Sequence, residues 1–307
     1  NAFFADAVYN CVGRMIVTPD GVLFRGERAA DEQQSEFLGS HDPWFRPATI
    51  RTGPDGALWV VDMYRFVIEH PQWINDDLEK TLDLRLGHDR GRIWRVYPSD
   101  KKPRPIPRLD QLDTAALVAA LDSPSGWQRD MAQMMLVWRN DAVVVGPLEK
   151  MAAASQRPLA RLHALCTLDG LGALRPEMVR QSLSDSHPGV RRHAVRLCEP
   201  LLAREPSAGE ALLKLADDPD LQVQQQLACT LGEWPDPRAG RLLGRLAVRH
   251  AEDPYLQAAV LSSAMPHVET ILAEVAAEPS KTAARAQLTA RLVRLAADMK
   301  AAPDVLA

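Results

Sequence analysis

The sequence has few cysteines and no long apolar run. These two absences argue against certain metal and haem sites and against membrane-spanning segments. Only 4 of 307 residues are cysteine, with no C-x-x-C or C-x-x-C-H motif and no close Cys/His pair. This argues against a zinc ribbon and covalently attached haem. No apolar run approaches the roughly 20 residues of a membrane span, so we predict no transmembrane segment. No signal-peptide pattern is recognised, and a chain that starts at Asn1 is expected to be processed or a fragment.

The chain also lacks an excess of charge of one sign. It has 36 basic and 40 acidic residues and a net charge of −4, with no basic block, so we predict no nucleic-acid partner. Nucleophile-elbow, P-loop, dinucleotide and H-E-x-x-H motifs are absent from the sequence. We predict four thiols packed in a core, with a disulfide or a metal site as alternatives: Cys11, Cys166, Cys198 and Cys229.

Residues 1–98 have the pattern of a small β-sheet module. Pro-Asp-Gly corners separate apolar segments, which is typical of strand–turn–strand units. The continuous apolar run Leu58–Val61 predicts a strand buried on both faces. Leucines spaced by four predict a helix over Asn75–Leu86, capped by Asn75. The predicted strands are Cys11–Thr18, Val22–Arg25, Ala48–Thr52, Ala57–Met63 and Arg92–Tyr97.

A proline-rich, basic segment at residues 99–108 predicts an extended linker. It separates two predicted domains, at residues 1–98 and 109–307. The second domain is predicted to be entirely helical, because short polar turns with proline recur every 25–35 residues, each followed by an amphipathic helix. This predicts about six helical hairpins, ending in a polar turn from Lys300 to Asp304. The marker prolines are Pro124, Pro158, Pro188, Pro219, Pro254 and Pro279.

The repeats resemble HEAT repeats, most closely where Asp185 is followed by Val190-Arg191 and Ala194. Asp122 with Arg129 is a looser match. In that family such Asp and Arg residues bridge successive turns, and the surface of the solenoid binds protein partners. The copy at Asp217 departs from the pattern, because Gln224 stands where Arg would be expected.

The N-terminal segments Asp42–Pro47, Gly53–Arg65, Ile68–Pro71 and Gly91–Arg95 resemble the last propeller blade of the bacterial membrane-bound dehydrogenase family. Those proteins resemble PQQ-dependent sugar dehydrogenases. The resemblance implies an α+β fold that is mostly α: terminal β-propeller strands, then an α-solenoid. It also implies a periplasmic or exported oxidoreductase acting on a sugar or alcohol, with PQQ and calcium in the complete propeller and a c-type cytochrome domain as electron acceptor.

This chain holds about one blade and has no haem motif, so we expect it to contain no cofactor of its own and not to be catalytic alone. Two functions stay open. The chain is the C-terminal part of an exported propeller-type dehydrogenase, serving mainly as a HEAT-repeat scaffold. Alternatively, it is a non-catalytic protein–protein interaction module that uses the surface of the solenoid.

Polar residues concentrate at the end of the predicted strand Ala57–Met63 and in the loop after it. We take five as candidates for a ligand-binding face, because guanidinium groups hold carboxylates and a His beside a carboxylate can act as a base. The alternatives are structural ion pairs, Asp62–Arg65 and Glu69–Arg46, or a metal or catalytic site; we assign no catalytic or metal-ligating residue. The candidates are Arg46, Asp62, Arg65, Glu69 and His70.

The remaining histidines and the aromatic residues give weaker signals. The neighbours His41-Asp42 and His88-Asp89 are not expected to bind a metal, since adjacent strand residues point to opposite faces. His163 and His193 occupy matching repeat positions and are predicted to pack, whereas His187 and His250 are predicted to be solvated. A set of aromatic residues is predicted to form core between propeller blades, with a carbohydrate platform as the alternative: Trp44, Phe45, Trp59, Tyr64, Phe66, Trp73 and Trp94.

Overall fold

The computed structural model describes residues 1–102, 104–278 and 282–299. Pro103 of the predicted linker, Pro279 and the predicted turn from Lys300 to Asp304 lie outside these residues. The chain divides into a strand-rich unit and a helical unit. The strand-rich unit contains Asn1–Asp20, Phe24–Leu112 and Pro124–Gln128, and the helical unit contains Gly21–Leu23, Asp113–Ser123 and the chain from Arg129 onward.

The strand-rich unit begins with an antiparallel sheet built around one long strand. The central strand β2 pairs with β1 on one edge, with Ala2 opposite Met15. On its other edge it neighbours β3 and pairs with the short β4, with Val12 opposite Leu38. The four strands are β1 (Ala2–Asp6), β2 (Cys11–Asp20), β3 (Leu23–Arg28) and β4 (Leu38–Gly39).

A second antiparallel sheet follows, in the order β5-β6-β7. Gly56 has a φ of 78° in the turn between β5 and β6, a conformation that favours glycine, as the Pro-Asp-Gly corner predicts. The two sheets share a small core of Val12, Phe45 and Val60. The strands are β5 (Pro47–Thr52), β6 (Leu58–Asp62) and β7 (Arg92–Val96).

The apolar run in β6 is not buried on both faces, so that prediction is wrong. Val60 is fully buried, whereas Val61 is 38% exposed on the opposite face, next to the exposed Ile93 of β7. Successive strand residues point to opposite faces, and in this antiparallel sheet one face carries the core.

The predicted helix over Asn75–Leu86 is also wrong in length. Only α1 (Asp76–Glu79) forms, although Asn75 does cap it, accepting from the amide of Asp77 at 3.0 Å. The hydroxyl of Thr81 donates to the carbonyl of Leu78, and Asp83 accepts from the amide of Arg85. These local side-chain bonds replace helical hydrogen bonds and turn the chain.

The helical unit consists of six consecutive helical pairs within the described residues, as the proline spacing predicts. The second helices of the pairs, α5, α7, α9 and α11, pack on one another in sequence, and first helices such as α10 and α12 form a separate contact. The helices are α2 (Thr114–Ala120), α3 (Gly126–Arg139), α4 (Val145–Ala154), α5 (Pro158–Gly170), α6 (Pro176–Ser182), α7 (Pro188–Leu197), α8 (Pro206–Leu213), α9 (Leu221–Leu231), α10 (Pro237–Arg249), α11 (Pro254–Ser262), α12 (Val268–Ala277) and α13 (Ala283–Asp298).

Proline begins three of the second helices, at Pro158, Pro188 and Pro254. Its missing N–H is harmless there because the first amides of a helix have no intrahelical partner. The fold class predicted from the sequence, small antiparallel sheets followed by HEAT-like helical hairpins, is therefore confirmed. The limits predicted for the domains stay a prediction.

Candidate functional site

Asp62, the last residue of β6, is the most deeply buried of the five candidate residues. Its carboxylate is buried, and Oδ1 accepts from the backbone amides of Arg46 and Tyr64 at 2.9 and 3.0 Å. Oδ2 accepts from Trp94 Nε1 at 3.1 Å and pairs with Arg92 Nε at 3.2 Å. Both oxygens are therefore already occupied by the protein's own donors.

Arg46 binds backbone carbonyls instead of a carboxylate. Its guanidinium donates to the carbonyl oxygens of Ala7 at 2.7 Å, Arg65 at 3.1 Å and Phe66 at 3.0 Å. A planar guanidinium can serve several acceptors at once. Arg46 thereby ties the loop after β6 to the turn after β1.

The predicted ion pairs Asp62–Arg65 and Glu69–Arg46 do not form among the described residues. Arg65 is half-buried and donates to the carbonyl of Tyr64. Glu69 and His70 are exposed, and each accepts a local backbone amide, from Ile68 and Gln72 respectively. The structure thus brings Arg46, Asp62 and Arg65 together through backbone contacts and places Glu69 and His70 farther along the same loop.

The partners of Asp62 that the sequence analysis did not single out come from β7. Strand register places Arg92 opposite Asp62, and the Arg92 guanidinium stacks 3.8 Å above the ring of Tyr64. Such a cation–π contact adds to the ion pair. Arg92 lies in the segment Gly91–Arg95, which the sequence analysis considered. Only the pairing of β6 with β7, however, identifies Arg92 as the counter-ion of Asp62.

A second buried carboxylate, Asp55, lies in the turn at the other end of β6. It pairs with Arg95 of β7 and accepts from the amide of Ala57 and the indole of Trp59. Burial disfavours the charged form, but hydrogen bonds from Arg95 and Trp59 outweigh it and hold the Asp55 pKa below its usual value. Asp55 and Asp62 therefore fix the two ends of one strand.

Among the aromatic residues predicted to form core between blades, Phe45 is buried at 5% exposure, whereas Trp73 is 78% exposed and Trp94 is 44% exposed. For the exposed rings, a core between propeller blades stays a prediction. Trp44 lies between Tyr64 and Phe66, with ring centroids 5.6 Å from each. The strand-rich unit therefore displays large rings at its surface.

Within residues 1–102, 104–278 and 282–299, no group of three or more His, Cys, Asp or Glu side chains could hold a metal ion. The two His-Asp neighbours act locally: Asp42 accepts from the amide of Trp44, and His88 Nδ1 lies 3.1 Å from the carbonyl of Arg85.

In the helical unit, Arg–Asp ion pairs bridge successive repeats. Arg161 binds Asp185 with two nitrogens, at 2.6 and 2.7 Å, and Arg191 binds Asp218 in the same way, at 2.7 and 2.8 Å. Bidentate pairs of this kind are directional as well as strong. The bridging role implied by the resemblance to HEAT repeats is present, although the acid in the next repeat is Asp218 and not Asp217.

These two arginines, and Arg129 at the equivalent position of α3, also bind the turn that precedes their own helix. Arg129, Arg161 and Arg191 each donate to the carbonyl six residues earlier, at Ser123, Ser155 and Asp185. Gln224 makes the equivalent bond to the carbonyl of Asp218 at 2.7 Å. Gln224 therefore keeps the hydrogen bond to the turn but, as an uncharged residue, cannot form the inter-repeat ion pair.

Two predictions about single residues of the helical unit are wrong. His250 is half-buried and not solvated, with Nε2 2.7 Å from Gln224 Oε1. Cys229 is exposed, although the other thiols are buried or half-buried and none of the four is in a disulfide. Burial raises the pKa of the Cys198 thiol to about 12, so this cysteine is an inert part of the core. His163 packs as predicted, 2.7 Å from Gln133 Oε1.

Comparison with known families supports the two-part description. Residues 1–100 match a family model described as a domain of unknown function (DUF7133), and residues 176–264 match a model described as HEAT repeats. The second match covers the three pairs from α6 to α11. A search of curated proteins gives no match. In the described part of the chain, no helix is both long and apolar enough to cross a membrane. The chain is therefore a helical repeat scaffold joined to a small strand-rich unit.

Proposed function

We propose that the helical unit binds a protein partner through the exposed face of its second helices. HEAT repeats commonly mediate protein interactions, and stacked hairpins offer an extended surface. The observation that carries the proposal is a cationic patch on α7, formed by Arg192, His193 and Arg196. We call these three residues the α7 patch.

The α7 patch is not neutralised by the neighbouring second helix. Arg192 donates to Gln222 of α9 at 2.7 Å, so its partner is an uncharged amide. Arg196 is exposed. Burial lowers the pKa of His193, and the charges of Arg192 and Arg196 lower it further, which shows a positive potential at this point.

Two neighbouring arginines of these helices are already paired, since Arg161 is held by Asp185 and Arg191 is held by Asp218. Arginine is enriched among the residues that dominate protein interfaces. The α7 patch therefore suits a partner that presents acidic side chains.

The test is quantitative affinity capture with the purified chain, together with cross-linking by a photoreactive group attached in α7 or, for comparison, in α10 to map the contact. We expect a partner whose cross-links fall on α7 and whose capture is reduced at least tenfold by Arg192→Glu/Arg196→Glu. Arg245→Glu, an exposed change of the same kind on α10, is the control and should leave capture unchanged. Equal capture by all variants, or cross-links confined to other helices, would contradict the proposal.

A second candidate function is supported by the strand-rich unit. Large apolar side chains are exposed on its sheets and turns, including Tyr9 at 79%, Phe24 at 59% and Ile93 at 61%. Apolar surface of this extent marks contact with further structure. Further sheets of a β-propeller would cover it, in line with the resemblance to the membrane-bound dehydrogenase family.

In that proposal the whole protein is an exported sugar or alcohol dehydrogenase that uses PQQ and calcium and passes electrons to a c-type cytochrome. Arg65, Glu69 and His70 would face the ligand, whereas Arg46 and Asp62 hold the loop in place. The full-length protein should then gain thermal stability from PQQ with calcium, because a ligand of the folded state stabilises it. It should also reduce a dye with a sugar or alcohol as substrate. If a complete propeller shows neither the stabilisation nor the dye reduction, this function is excluded.

A further inference from the structure

A cavity of about 220 Å³ lies in the strand-rich unit beside the turn that holds Asp55. One wall is formed by the turn before β6 and the other by the chain that leaves β7. The lining residues are Asp55, Gly56, Ala57, Val96, Tyr97, Pro98, Lys101, Lys102 and Arg104.

Three cationic side chains line this cavity, and none has a counter-ion among the described residues. Lys101, Lys102 and Arg104 form no ion pair there. The one lining carboxylate, Asp55, is already neutralised by Arg95. The cavity therefore has an excess of positive charge, and an anion would lower its electrostatic energy.

The backbone at Arg104 is held against the sheet. Arg95 donates to the carbonyl of Arg104 at 3.2 Å, which fixes the chain beside the turn. Gly56 has no side chain, and a Cβ built on it would lie 3.8 Å from Arg104 Nη1. The guanidinium therefore lies directly over the turn, at the wall of the cavity.

The remaining wall is apolar and aromatic. Val96, Ala57 and Pro98 supply apolar surface, and Tyr97 is 45% exposed, with the Arg95 guanidinium 5.9 Å from the centroid of its ring. A small inorganic anion would make no contact with this apolar wall. A small organic anion, with a charged group at the cations and a carbon skeleton against Tyr97, uses both parts of the cavity.

We propose that this cavity binds a soluble phosphate monoester, with its phosphoryl group between Lys101, Lys102 and Arg104 and its organic part against Tyr97. A dianion matches three cations better than a single carboxylate does, and arginine and lysine are the usual ligands of phosphate. The site is separate from the α7 patch and does not depend on either proposed function.

The test is calorimetric titration of the whole chain with glycerol 3-phosphate and inorganic phosphate. Citrate is the carboxylate comparator, and vesicles with or without phosphatidic acid test a lipid-borne phosphate. The variants are Lys101→Ala/Lys102→Ala and Arg104→Ala. Lys150→Ala/Lys214→Ala removes the same charge from exposed positions of the helical unit and is the control.

We expect glycerol 3-phosphate to bind at one site, more tightly than inorganic phosphate. Affinity should fall at least tenfold in both cavity variants and stay within twofold in the control. No saturable binding, an equal loss in the control, tighter binding of citrate, or binding to vesicles alone would each overturn the proposal.

Discussion

At the scale of single residues, the strand-rich unit depends on buried carboxylates that accept from several donors. Asp62 is 1% exposed and satisfies two backbone amides, the indole of Trp94 and the guanidinium of Arg92. Removing such an acceptor leaves several donors without a partner, and that loss costs more than the bonds contribute in net stability.

Asp62→Ala should therefore destabilise the loop after β6 by about 2–3 kcal/mol, a value moderated because Arg92 is partly exposed. Hydrogen exchange followed by mass spectrometry should show faster exchange in peptides covering residues 44–66, by roughly tenfold for each 1.4 kcal/mol lost. Asp42→Ala removes an exposed turn acceptor and should change the same peptides little. Unchanged exchange in Asp62→Ala would show that the carboxylate is dispensable.

Asp62 could be predicted as a site residue, but its partner could not. The sequence suggests Arg65, three residues away, whereas the structure provides Arg92, thirty residues away. Tyr64 has a φ of 52°, so the chain turns at this point and Arg65 donates to a backbone carbonyl instead. Pairing between strands decides which charges meet, and spacing along the chain does not contain that information.

At the scale of elements, one position in the second helices α5 and α7 links its repeat to the next. Arg161 and Arg191 occupy this position and reach the acids at Asp185 and Asp218. Gln224 occupies it in the following repeat, where residue 251 is an alanine and offers no acid. The arginine and its acid are therefore lost together.

Arg191→Ala should lower the unfolding free energy by about 3 kcal/mol, because Asp218 would be left buried without its counter-ion. Arg191→Gln should cost less, since a glutamine can still bind the preceding turn as Gln224 does. Urea unfolding followed by circular dichroism at 222 nm measures both.

Arg157→Ala is the matched control, because the Arg157–Asp122 pair is about half exposed and should contribute less than about 1 kcal/mol. If Arg157→Ala and Arg191→Ala lower the unfolding free energy equally, burial is not what makes the Arg191–Asp218 pair the more stabilising of the two.

The positions of the helices in the helical unit could be predicted because the prolines and the apolar residues recur at regular spacing. The length of the helix that begins after Asn75 could not be predicted in this way. Val223, Leu227 and Leu231 are fully buried, as their spacing predicts. The leucine spacing at Leu78 and beyond looks the same in the sequence. In the structure, however, Leu78 is 53% exposed and Leu86 is 38% exposed, so these leucines are not packed in a core. Periodicity predicts a helix only where another element covers the apolar face.

At the scale of the whole molecule, the ionisable groups of the helical unit predict how its stability depends on pH. Four histidines have a pKa below the usual value of about 6.5, and burial is the largest cause in each. They are His163, His193, His250 and His267.

Because the folded pKa lies below the unfolded one, the unfolded chain takes up protons first as the pH falls. The contribution of these histidines is complete above about pH 6.5 and is lost as the pH falls toward the folded pKa. Asp185 and Asp236 also have lowered pKa values: hydrogen bonds from Arg161 outweigh the burial of Asp185, and the hydrogen bond from Arg238 is the largest cause at Asp236. Their contribution is lost only below about pH 4. Between about pH 4 and pH 6.5, the loss of stability is therefore attributed to the histidines.

The urea midpoint of the helical transition, followed at 222 nm, should thus be lower at pH 5.5 than at pH 7.5. His163→Gln should make this difference smaller, since one of the four neutral histidines is removed. His41→Gln replaces an exposed histidine of the strand-rich unit and should leave the difference unchanged. A midpoint that is constant over this range would mean that the packed helices accommodate imidazolium groups, contrary to the burial of these side chains.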